Sequence, residues 1–125
     1  MEDELSYKII GAAIEVHRCL GGPGLLERIY QTALSHELSL MGLTVERHVS
    51  VPVIYKGITV NDPLQLDLVV NRKVIIEVKA TDREHSVYQA QLLTYLRLTG
   101  LKLGLLINFG REYVRDGINR VVNTL

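Results

Sequence analysis

The run Leu103-Gly104-Leu105-Leu106-Ile107-Asn108 constrains this fold more than any other segment. It is apolar without alternation, which is the pattern of a strand covered on both faces. Such a strand needs helical layers above and below it. The rest of the chain can supply them. Ser86–Thr99 reads as a helix that opens on Ser86-x-x-Gln89, a capping-box pattern, and closes at Gly100. Near the start, Ile9, Ile10, Ala13, Ile14, Val16 and His17 sit at helical spacing until Gly21-Gly22-Pro23-Gly24 ends the helix. A second helix runs from about Leu25 to Met41, with Leu26, Ile29, Tyr30, Ala33, Leu34, Leu38 and Met41 as its apolar stripe. From Leu43 the pattern changes to short β-rich runs: Thr44–Val53, Ile54–Val60 with a turn at Gly57, Gln65–Val70 and Val74–Ala80. Gly117–Val122 adds an edge strand. The order α, α, β, β, β, β, α, β and a last strand predicts one α/β domain over residues 1–125, a mixed β-sheet flanked by helices.

Composition removes several classes of function. Forty-seven per cent of the 125 residues are apolar, which excludes a disordered chain. The single Cys19 excludes a disulfide scaffold and a zinc site built on paired cysteines. No apolar run approaches the ~18 residues of a membrane span, and the opening Met-Glu-Asp-Glu has no leader character, so a cytoplasmic protein with no membrane partner is expected. Fourteen basic residues balance fourteen acidic ones, yet residues 51–125 hold ten basic against seven acidic. A polyanion would therefore meet a local basic face and not bulk charge. Near-zero net charge also favours self-association, and a homodimer is expected, doubling the basic stretch of residues 97–120.

Four polar features stand where burial should penalise them. In Val74–Ala80, alternation puts Ile75, Glu77 and Lys79 on one face and Val74, Ile76, Val78 and Ala80 on the other. In Gln65–Val70, Leu66, Leu68 and Val70 share a face, leaving Asp67 with Gln65 and Val69. Asp67 and Glu77 meet only if the connection has the right parity. A two-residue Asn71-Arg72 turn would set Asp67 against Ile76, whereas a three-residue Asn71-Arg72-Lys73 connection, or a bulge, sets it against Glu77. Side by side, the two carboxylates can share a hard divalent cation, Mg²⁺ or Mn²⁺. The third feature is Gln91-x-x-x-Tyr95, one helix face by its spacing. The fourth is an acid on the second helix. Periodicity places Glu27 at the edge of the apolar stripe and Glu37 nearer its middle, and does not choose between them.

Taken in order, Asp67, then Glu77-x-Lys79, then a helix with Gln91-x-x-x-Tyr95 resembles the PD-(D/E)xK nuclease superfamily, in its Gln-x-x-x-Tyr branch. Gly24-x-x-Glu27-x-x-Tyr30 resembles the signature of the GxxExxY family, small prokaryotic proteins placed in that superfamily. The phrases Ile10–His17, Gln91–Leu96 and Gly104–Gly110 fit as well, and the resemblance runs from about Ile9 to Val122. Gln65 departs from it, standing where a basic residue is common.

The resemblance implies a restriction-endonuclease-like sheet and a Mg²⁺- or Mn²⁺-dependent phosphodiesterase acting on nucleic acid, with DNA the expected substrate. It implies that Asp67, Glu77 and the main-chain carbonyl of Val78 hold the metal, with Glu27 completing the carboxylate cluster. Lys79 would orient the attacking water and offset phosphate charge, while Gln91 and Tyr95 would position the water or a phosphate oxygen. The alternative is a non-catalytic nucleic-acid or protein-interaction module that keeps the fold. His17, His36, His48 and His85 show no ligand spacing, Cys19 has no catalytic partner, and Gly21–Gly24 reads as helix punctuation.

Overall fold

The computed structural model describes residues 2–83 and 86–124. His85 lies outside the described residues. Two helices, α1 (Glu2–Cys19) and α2 (Glu27–Leu40), precede three strands, β1 (Val45–Tyr55), β2 (Ile58–Val70) and β3 (Val74–Lys79). Helix α3 (Ser86–Thr99) leads to β4 (Leu103–Asn108), and a 3₁₀ turn at Val114–Gly117 leads to β5 (Ile118–Val122). The five strands form one mixed sheet in the order β1-β2-β3-β4-β5, antiparallel except for the parallel pair β3/β4. Among the described residues no helix is long and apolar enough to cross a membrane.

Every residue of β4 is buried, and the two layers explain why. Leu103, Leu105 and Ile107 join Val74, Ile76 and Val78 of β3 in a core with Ile9, Ala13, Val16, Tyr30, Leu34 and Leu38 of α1 and α2. Leu106 faces the other way, joining Ile75 and Val69 in a second core against Leu92, Tyr95 and Leu96 of α3. Gly104 lets α3 approach closely, because a Cβ there would stand 2.9 Å from the Leu92 side chain.

Three readings of the sequence need correction. The separate runs Ile54–Val60 and Gln65–Val70 are not two strands, because Ile58–Val70 is one strand running through Asn61-Asp62-Pro63. The turn-forming residues sit in a bulge: between the pairs Val51↔Leu64 and Val53↔Val60, Pro52 alone faces those three residues. Bulges and turns favour the same residue types, and a bulge tolerates the missing proline N–H. The second correction concerns Leu66, which packs in the α3 core with Val69 and not with Leu68 and Val70. His48, in the left-handed region at φ 52°, falls between the pairs Arg47↔Leu68 and Val49↔Leu66, and the alternation breaks there. The third is the α2 stripe. Leu26, Ile29 and Met41 are exposed, while Gln31 is buried with Tyr30, Leu34 and Leu38.

Candidate active site

The β2–β3 connection has the three-residue form. Val70 pairs with Val74, Val69 with Ile75 and Leu68 with Ile76, so the register carries Asp67 to the level of Glu77. Asn71 and Arg72 both adopt positive φ, 53° and 54°, and the Lys73 N–H closes the turn on the Val70 carbonyl at 3.0 Å. Asn tolerates that conformation better than most residues.

Beyond Leu68 the carboxylates take over the work of the ladder. The Val78 N–H donates to the Asp67 carboxylate at 2.8 Å, and the Asp67 N–H donates to Glu77 Oε1 at 3.3 Å. Each acid is thereby fixed by the opposite strand. Glu77 is 8% exposed. Burial, reinforced by the neighbouring Asp67 charge, pushes its pKa up to about 8. The pair, Glu77 buried and Asp67 half-buried, has no carboxylate ion pair among the described residues, and its donor set is oxygen only, which fits a hard divalent cation.

Lys79 is the last residue of β3, on the same strand face as Glu77. Its ammonium lies 4.5 Å from the centre of the Tyr88 ring, and no ion pair joins it to a carboxylate among the described residues. Its charge still acts at a distance, opposing the upward shifts of Glu77 and Glu27. Tyr95 is buried on α3, and its hydroxyl pKa is raised by burial and then by Glu77 and Asp67. Gln91, one turn earlier, is exposed and makes no hydrogen bond among the described residues.

Glu27 and Glu37 differ in their electrostatic surroundings. Burial raises the Glu27 pKa, with Lys79 opposing and Asp67 adding to the rise, so Glu27 faces the β2–β3 acids. Glu37 instead makes itself felt at Cys19. Glu27 is placed by the residues around it. Gly24 takes φ +118°, and the Tyr30 hydroxyl donates to the Gly22 carbonyl at 2.8 Å and accepts the Leu25 N–H at 3.2 Å. The Tyr30 ring stacks on Phe109 at 4.6 Å. Tyr30 therefore ties the turn that starts α2 to the end of β4, and Glu27 is the first residue of that helix. Among the described residues, no three acidic, imidazole or thiol groups come together closely enough to hold a metal. The close pair is Asp67 and Glu77, with Glu27 further out.

Two residues escaped the sequence reading. Asn108 is buried at the end of β4 and clips the chain leaving β3: its Oδ1 accepts the Thr81 N–H at 3.1 Å and the Gly110 N–H at 2.9 Å. Its Nδ2 donates to the Thr81 carbonyl at 3.0 Å. The asparagine ending an apolar strand was the available signal. Gln31 is buried one turn after Glu27, and its Oε1 has no partner among the described residues. Two of the dismissed groups, His17 and Cys19, have local partners. His17 Nε2 lies 3.2 Å from the Phe109 carbonyl, and the exposed Cys19 thiol is held above its usual pKa by its hydrogen bond to Glu15.

The sheet and the acid pair with a lysine two residues on define a nuclease-type α/β protein. A family model of the PD-(D/E)XK nuclease superfamily matches residues 3–121, nearly the whole chain, and the chain belongs to that superfamily. No curated protein and no solved structure matches it.

Proposed function

We propose that the protein is a metal-dependent phosphodiesterase acting on nucleic acid, with DNA as substrate, in the cytoplasm and as a homodimer. The observation that carries this reading is the pairing of half-buried Asp67 with buried Glu77, aligned by the hairpin register and followed by Lys79, which makes no ion pair among the described residues. Asp67, Glu77 and the Val78 carbonyl would hold Mg²⁺ or Mn²⁺, with Glu27 contributing from α2. The cation, when bound, lowers the pKa of a water and stabilises charge on the phosphate. Lys79 supplies a fixed positive charge toward the phosphate and orients the attacking water. The raised pKa of Tyr95 keeps its hydroxyl protonated as a hydrogen-bond donor, and Gln91, being exposed, meets a phosphate oxygen only when substrate arrives.

A narrower kinship to the GxxExxY family is supported by the way Gly24 and Tyr30 set the start of α2 at Glu27. The test of the proposed activity is cleavage of single- and double-stranded oligonucleotides with Mg²⁺ or Mn²⁺, comparing the natural chain with Lys79→Ala. Cleavage should need the metal and fall about 10²–10³-fold in the variant, with the circular dichroism spectrum unchanged. Full activity in a folded Lys79→Ala protein would reject the mechanism. No cleavage of any substrate by the natural chain would favour the non-catalytic module.

A further inference from the structure

Beside the carboxylate pair, on the α3 side of the sheet, lies a recess of about 140 Å³, several times the volume of one water. Its polar wall comes from separate parts of the chain: Lys79 ending β3, Arg83 in the following loop, Ser86 and Gln89 opening α3, Asn108 ending β4 and Asn119 on β5. None of the described residues lining it is acidic. Neither Lys79 nor Arg83 is ion-paired among the described residues. The Tyr88 ring holds the Lys79 ammonium in place without neutralising it. Asn108, pinned to Thr81 through both of its amide atoms, makes the floor rigid. Two cations without an ion pair among the described residues converge here with neutral hydrogen-bonding side chains, an arrangement suited to an anion.

We propose that this recess binds a second phosphate of the substrate strand, next to the one presented to Asp67 and Glu77. Arg83 is its anchor, and Ser86 and Gln89 are its hydrogen-bond donors. Lys79 forms the wall between the two positions. This inference rests on the nuclease reading and deepens it: the substrate is a polymer carrying phosphates on neighbouring nucleotides, not a lone phosphate ester. Arginine suits the role, because its planar fork grips two phosphate oxygens at once.

The test is a binding experiment without metal on the full chain. Inorganic phosphate is titrated while NMR follows Arg83 Nε and the amides of Ser86 and Gln89. Single-stranded oligothymidine is then bound over a range of salt. Saturable shifts are expected at those three positions. Arg83→Ala should weaken phosphate at least about fivefold, a loss suited to one charge-assisted hydrogen bond, and Arg83→Lys should restore part of it. The slope of log K against log salt for the oligothymidine should become shallower by about 0.7 in Arg83→Ala, one phosphate contact fewer. Arg83 is exposed, so its replacement does not endanger the fold. Phosphate shifts confined to other surfaces, or unchanged phosphate affinity and salt slope in Arg83→Ala, would overturn the proposal. Phosphate held at Arg83 by a protein that never cleaves would support the recess while rejecting the nuclease. Cleavage without phosphate at Arg83 would overturn the recess alone.

Discussion

The two faces of β3 share one backbone and serve different ends. Along it, residues 74–79 pair in parallel with residues 103–108 of β4. On the α1/α2 face Val74, Ile76 and Val78 are wholly buried in an apolar cluster. On the α3 face Ile75 packs in the same manner, but Glu77 and Lys79 follow it. The first face contributes packing, and filling it with anything smaller leaves a cavity. The second gives up packing at its last two positions to hold charge where water is scarce. Stability and chemistry are thus separated by the alternation of a single strand, and substitutions on the two faces should have opposite consequences.

The largest effect should come from the packing face. Ile76→Ala is expected to cost about 2–5 kcal/mol, a large part of the ~5–15 kcal/mol that holds a domain folded, read as a lower urea midpoint. Glu77→Gln should do the reverse in metal-free protein at pH 8 and raise the midpoint, because it removes a buried charge and keeps an acceptor for the Asp67 N–H. A lowered midpoint in Glu77→Gln would erase the contrast between the faces.

The pH dependence of stability follows from the same acid. Its folded pKa of about 8 lies above the ordinary carboxyl value of 4.5, so the folded chain retains a proton that the unfolded chain releases between those values. The stability this provides is fully present below about pH 4.5 and is lost as pH rises through 8. Metal-free protein should therefore lose on the order of a few kcal/mol over that range, measured by denaturant titration at fixed ionic strength. Mg²⁺ or Mn²⁺ should restore most of the loss near pH 8 and little near pH 5. Stability that rises with pH across this window would contradict the assignment.

The smallest effect concerns Gln31, whose buried Oε1 lacks a partner among the described residues. Gln31→Leu is expected to raise stability by about 1 kcal/mol, since an unsatisfied buried acceptor costs roughly that much. A loss of similar size would reveal a bound water serving both Gln31 and Glu27.

Much of this arrangement was legible where local signals and long-range structure agree. The capping box at Ser86, the glycine after Thr99 and the unbroken apolar run at Leu103–Asn108 gave α3 and β4 their bounds. The parity of Asn71-Arg72-Lys73 was enough to bring Asp67 level with Glu77. Other features were hidden for physical reasons. Asn61-Asp62-Pro63 carries turn chemistry but sits in a bulge, and only the partner strand distinguishes the two. The side change at Leu66 depends on the left-handed backbone of His48, nearly twenty residues away. The role of Asn108 consists of hydrogen bonds to Thr81, 27 residues away, and that of Tyr30 of a hydroxyl bond back to Gly22, which no local period reports. Glu27 and Glu37 share a helix, and only the packing of α2 on the sheet separates them.

On the proposed reading, Asp67 and Glu77 form a divalent-cation site. Calorimetric titration of Mn²⁺ into metal-free protein at pH 8 tests it directly, with Asp67→Asn as the comparison. A saturable site is expected, with release of protons as the Glu77 carboxyl gives up its hydrogen, and a loss of affinity of at least about tenfold in Asp67→Asn. Equal Mn²⁺ affinity in the two proteins, or no saturable binding at millimolar Mn²⁺ by the folded natural chain, would contradict it.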